Sequence, residues 1–225
     1  MQGLFLRTLF SILNRGPEDQ DTPTQGKGKK MKKLAVVMMV LLFLCPAAMA
    51  KKVGDVNVAD SITVGGQALS LNGAGERIKK VAFIKIEVYA AGLYLQAKNA
   101  DAQSIIDADA PMGIRMYITT GMATKEKLTT AWSEGFETAT GDNVDPIKGE
   151  IAKFNALFKT DPKEGDMYEI AYVPGQGITL AMNGASQGAA IPGLEFKKAV
   201  FGIWLSKNIE DDGLSTLKAE LLASN

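Results

Sequence analysis

Residues 69–96 read LSLNGAGERIKKVAFIKIEVYAAGLYLQ, and their reading decides the fold. A glycine-rich stretch, Gly73-Ala74-Gly75-Glu76-Arg77, precedes a long alternating segment. Within it Ala82, Ile84, Ile86, Val88 and Ala90 fall on one face, and Val81, Phe83, Lys85, Glu87 and Tyr89 on the other. Such a period of two is the signature of a strand. The pattern predicts a glycine turn delivering Arg77 to the foot of a strand from about Lys80 to Leu95. A strand of that length with one wholly apolar face is expected to cover a core.

Upstream, short strands are expected around Ile62–Val64 and Ala68–Leu71. Downstream, Asp101 can cap a short helix holding Ile105 and Ile106, and Ile114–Thr119 reads as a strand. The period then changes. Leu128, Trp132 and Phe136 recur every four residues, which predicts an amphipathic helix over 123–139. Ile147, Ile151, Phe154 and Phe158 form the stripe of a second helix, with Pro146 in its first turn. Met167–Val173 and Gly177–Met182 flank a Pro174-Gly175 turn and read as a hairpin. Phe196, Val200 and Trp204 predict a helix over Gly193–Ser206, and Leu214, Leu217 and Leu221 another at the end. Strands, helices, a hairpin and helices in that order predict an α+β domain, with helices packed on an antiparallel sheet. Trp132, Phe136, Phe154, Phe158, Phe196 and Trp204 are expected in its core, and Met112, Met116, Met122 and Met182 as packing residues or the lining of an adaptable pocket.

The first fifty residues are read apart from that domain. Residues 31–50, MKKLAVVMMVLLFLCPAAMA, carry lysines, an apolar run from Leu34 to Leu44, and small residues at Ala48 and Ala50. This is the pattern of a secretory signal cleaved after Ala50. The apolar run is well short of the roughly 20 residues a membrane-spanning helix needs. Residues 1–30 form an upstream extension, and Met31 is expected as the true start. The predicted location is therefore the periplasm or the exterior, with no stable membrane span after cleavage.

Residues 51–225 have the length of one domain. They hold 18 basic and 22 acidic residues, a net charge near −4, which gives no electrostatic reason to expect a nucleic-acid partner. The chain contains no histidine, and its single cysteine, Cys45, lies in the signal segment. Disulfides, thiol nucleophiles, Ser-His-Asp triads and ordinary zinc sites are thereby excluded from the domain. Neither a metal nor a redox cofactor is expected.

Three pieces together resemble the chalcone isomerase-like family: Gly73–Leu95 with GAGER and AGLYL, Thr120-Gly121 followed by Lys127, and Ile191-Pro192-Gly193 before a helix ending at Trp204. The likeness runs over roughly residues 60–222. It implies an open-faced sandwich, a large antiparallel sheet covered by helices with a ligand cleft between. Enzymes of this family close a flavanone ring and must stabilise developing phenolate and enolate charges, for which an arginine after the glycine motif supplies the cation. That arginine corresponds to Arg77. The strand threonine of the enzymes falls on Tyr89, the helix tyrosine on Thr124, and a family lysine is retained at Lys127. A family asparagine becomes Ala131, and a polar residue near Ile191-Pro192 becomes Leu194.

A retained cation with altered catalytic company suits the non-catalytic branch, in which an arginine and a tyrosine hold a fatty-acid carboxylate. A guanidinium can take both carboxylate oxygens, and a phenol can add a third hydrogen bond. The leading expectation is therefore an exported binder of a fatty acid or another small amphipathic carboxylate, clamped by Arg77 and Tyr89 with Thr124 and Lys127 nearby. No catalytic residue is assigned unless the protein is an enzyme, in which case Arg77 is the candidate. Two alternatives remain open on sequence: a chalcone isomerase-type intramolecular lyase acting on an enone, and a periplasmic interaction protein. Plainer roles also stand beside the functional ones, with Arg77 in a solvated basic turn, Tyr89 an ordinary strand aromatic, Thr124 a helix N-cap and Lys127 a solvated first-turn residue.

Overall fold

The computed structural model describes residues 50–223. The expected upstream extension, start and signal segment lie outside the described residues, apart from Ala50, which opens the first strand.

Seven antiparallel strands form one sheet in chain order. They are β3 (Ser61–Val64), β4 (Gln67–Val81), β5 (Ile84–Leu95), β6 (Met112–Ile118), β7 (Met167–Val173), β8 (Gly177–Met182) and the short β9 (Ala185–Ser186). Five helices complete the domain: α1 (Ala102–Asp107), α2 (Lys125–Thr140), α3 (Lys148–Ala156), α4 (Leu194–Leu205) and α5 (Asp212–Leu222). A 3-10 turn at Asp145–Ile147 leads into α3, with Pro146 at its start, as the missing amide of proline allows. The expected α+β architecture, an antiparallel sheet covered by helices, is the one observed.

Alternation along β5 divides the interior. Ala91, Leu93 and Leu95 join the helices in one large core that holds Trp132, Phe136, Phe154, Phe158, Phe196 and Trp204. Ala90 and Tyr94 point the other way, into a smaller core closed by a two-stranded sheet, β1 (Ala50–Val53) with β2 (Val56–Ala59). The sequence reading has no counterpart for this second sheet. Tyr94 is fixed there by its hydroxyl, which donates to the Ala59 carbonyl at 2.9 Å.

The glycine-rich stretch is corrected in place and in purpose. It is not a turn: Gly73, Ala74, Gly75, Glu76 and Arg77 lie within β4 and pair with Leu93, Gly92, Ala91, Ala90 and Tyr89. The glycines serve close approach instead. A Cβ on Gly73 would overlap the carbonyl oxygens of Glu220 and Leu221, and one on Gly75 would overlap the Glu220 side chain. Bare backbone at these alternate positions lets α5 lie directly on β4. Asn72, buried beside them, donates to the Leu221 carbonyl at 2.8 Å and anchors the end of that helix. Because backbone atoms oppose Gly73, Gly73→Ala is expected to cost about 2 kcal/mol as the helix is forced outward. A urea midpoint unchanged from wild type would contradict this.

The true turn is at Ala82-Phe83, between the paired residues Val81 and Ile84. The expected strand therefore begins at Ile84, with Lys80 and Val81 ending β4, and its outer end does not cover a core: Val81, Phe83 and Ile84 are exposed. Alternation survives a two-residue turn, so the pattern on either side hides the reversal.

Candidate functional site

Arg77 and Tyr89 stand opposite each other in the β4–β5 register. They share the sheet face of Gly73 and Gly75, so Arg77 reaches the N-terminus of α5, while Tyr89 packs against the large core. The Arg77 side chain is 14% exposed, and its Nη2 lies 3.0 Å from Asp211 Oδ2. Its Nη1 donates to the Ile78 carbonyl at 2.6 Å. Gly213 makes the approach possible, because a Cβ there would overlap the Ile78 carbonyl and crowd Nη1.

Asp211 has two tasks. It caps α5, its Oδ1 accepting from the Leu214 amide at 2.8 Å, and it faces the guanidinium. Burial would raise its carboxyl, but the Leu214 amide, the Arg77 charge and hydrogen bond, and the Gly213 amide outweigh that and hold it below the usual carboxylate range. The Asp211 side chain is 49% exposed, so the ion pair faces solvent on the carboxylate side.

Tyr89 is partly buried against the large core, and Trp204 Nε1 donates to its hydroxyl at 3.0 Å. Burial pushes the phenol up to about 12, against the opposing pull of the Trp204 hydrogen bond and the Arg77 charge. At neutral pH the hydroxyl therefore keeps its proton while its oxygen accepts from Trp204.

The other two expected ligand residues have local partners. Thr124 is the N-cap of α2, its hydroxyl accepting from the Lys127 amide at 3.2 Å, and Lys127 Nζ donates to the Met122 carbonyl at 3.0 Å. Both are hydrogen bonds of a helix start. Among the described residues, the other arginine, Arg115, is held at 2.7 Å by Glu169 across β6 and β7.

Aromatic rings occupy the layer between sheet and helices beside this pair. Trp132 meets Trp204 at 5.4 Å and Phe158 at 5.6 Å between ring centres, and Phe136 stacks on Phe196 at 5.7 Å. Trp132 Nε1 is buried with no acceptor. Two surface clefts lie elsewhere. One of about 330 Å³ involves Lys51, Asp60 and Asn72, and one of about 440 Å³ lies among α1, α2 and α4; neither is lined by Arg77 or Tyr89.

Asp211 and Trp204 are the members of the site that sequence reasoning did not assign to it. Asp211 carried a usable signal, an aspartate pair ahead of an apolar helical stripe, which marks an N-cap. Its second role needs the tertiary approach of α5 to β4.

Comparisons with known proteins agree with this architecture. A family model described as chalcone isomerase-like matches residues 50–223. No curated protein matches the sequence. Solved structures do match, among them a fatty-acid binding protein from Arabidopsis thaliana, with 16% identity, a TM-score of 0.54, and coverage of 72% of this chain and 95% of that one. At that identity the likeness is one of fold.

Proposed function

Since this chain belongs to the chalcone isomerase-like family, we propose that it is a non-catalytic binder of a fatty acid or similar amphipathic carboxylate, whose head group is held by Arg77 and Tyr89. The observation that carries the reading is that a largely buried guanidinium beside a protonated phenol already holds a carboxylate, that of Asp211. A site built this way is complementary to a carboxylate in charge and in donors. The related fold of a protein described as fatty-acid binding supports the same class of ligand. Trp132, with an unaccepted indole N–H one ring away from Trp204, offers a further donor within the aromatic layer.

In this reading Asp211 is the internal competitor of the ligand. The guanidinium has five N–H donors, and the Ile78 carbonyl and Asp211 engage two of its nitrogens. The ligand carboxylate takes the place of Asp211 as the first turn of α5 swings aside.

Titration with palmitate tests the competition. Asp211→Asn keeps an N-cap but removes the competing charge, and is expected to bind palmitate about fivefold more tightly. Equal affinity in wild type and Asp211→Asn would remove Asp211 from the site. The periplasmic location remains part of the proposal and is tested by finding the processed chain, beginning at Lys51, in a periplasmic extract.

A further inference from the structure

The outer half of the β4–β5 hairpin stands apart from the sheet. Strand β3 pairs only with Gln67–Ser70 of β4, and β6 pairs only with Tyr89–Leu95 of β5. As strands, Ile78–Val81 and Ile84–Glu87 therefore pair only with each other, a two-stranded arm tied at its base by the Thr119 hydroxyl, which donates to the Glu87 carbonyl at 3.0 Å. Four paired positions at about 3.3 Å each give it a reach of about 13 Å.

Its tip has the wrong chemistry for a simple turn. Two-residue hairpin turns favour glycine, asparagine or aspartate, yet this one is Ala82-Phe83, with Ala82 held at φ 53°. Phe83 is fully exposed, and Val81 and Ile84 beside it are exposed as well. Behind them stand Lys79, Lys80 and Lys85, with Lys80 directly across from Lys85. Lys80 meets Asp212 only at 3.9 Å, with both side chains mostly in solvent. An apolar tip with a basic collar is thus placed on a domain whose net charge is near −4.

We propose that this arm docks the protein on a lipid surface bearing anionic head groups. Phe83, Val81 and Ile84 enter the boundary between head groups and acyl chains, while the three lysines meet the phosphates. Burial of apolar side chains together with attraction of lysines to anionic lipid is the combination that holds interfacial anchors. The reach of the arm suits a depth of about 5–10 Å. A partner protein or a second copy could cover the apolar residues, but neither calls for three lysines placed directly behind them, ahead of the single acidic residue of the arm, Glu87. The inference does not depend on what Arg77 binds.

The test reads the tip itself, because the apolar run Leu34–Leu44, where still attached, would carry the chain to vesicles by its own means. Phe83→Trp places a fluorophore at the tip, whereas Trp132 and Trp204 are buried. Vesicles of phosphatidylcholine with about one-third phosphatidylglycerol are expected to shift its emission to the blue, and brominated acyl chains to quench it. Adding Lys80→Glu and Lys85→Glu is expected to weaken this response about thirtyfold, with circular dichroism unchanged. No tip response to anionic vesicles, or an equal response to pure phosphatidylcholine, would overturn the proposal. So would a blue shift that grows with protein concentration in the absence of vesicles, which would assign the tip to a second copy.

Discussion

Lys197→Ala is expected to lower stability by about 4 kcal/mol, the largest effect of any single charged side chain in the large core. Lys197 is completely buried on α4. Its Nζ donates to the carbonyls of Ile105, Ile106 and Ala108 at 3.0, 2.8 and 2.6 Å, and so closes the C-terminal end of α1. The rings of Tyr172 and Phe201 lie 5.7 and 5.6 Å from the same nitrogen. Truncation removes a buried stem and leaves three carbonyls without their donor. Lys197→Met restores much of the stem and isolates the carbonyl part, for which about 2 kcal/mol is expected.

The ammonium is held against a cost that depends on pH. Burial drives its pKa down to about 8, opposed by the charges of Asp107 and Asp109. Between that value and the ordinary one near 10.5 the unfolded chain binds the proton and the folded chain does not, so stability attributable to this group rises with pH across the window. Wild type should therefore gain on Lys197→Met between pH 8 and 10.5 in paired urea titrations. A methionine variant as stable as wild type at pH 7, with no divergence at higher pH, would show that the three carbonyls need no donor.

Arg77→Ala is expected to weaken palmitate binding about a hundredfold, the loss of two charge-assisted hydrogen bonds at roughly 1.5 kcal/mol each. The fold should survive, because Asp211 keeps the Leu214 amide and is half exposed, so it is not stranded in the core. Tyr89→Phe removes a single neutral donor and is expected to cost about fivefold. If Arg77→Ala binds palmitate as wild type does, the guanidinium is a structural partner of α5 and nothing more.

Much of this architecture is legible in the residues. Helices α2 and α4 follow from apolar stripes of four-residue spacing, and the β7–β8 hairpin from alternation around Pro174-Gly175, because both periods survive burial of one face. The glycine stretch misled for a physical reason. Gly73 and Gly75 suit a turn locally, but their lack of a Cβ is used by a helix some 140 residues downstream, which no local pattern reports. The reversal at Ala82-Phe83 was hidden for the opposite reason, since neither residue is a turn former. That mismatch is what marks the tip as unusual once its exposure is known. At the site, the pairing of Arg77 with Tyr89 across two strands and the presence of Asp211 are tertiary facts. The sequence offered each residue, and only the approach of α5 to β4 brought them together.

The most direct measurement is native mass spectrometry of the protein recovered from its own cells, followed by extraction and identification of what is bound. The proposed function predicts a stoichiometric fatty acid or similar amphipathic carboxylate that is absent from Arg77→Ala prepared in the same way. A wild-type protein that carries no such acid and takes up none when palmitate is supplied would contradict it.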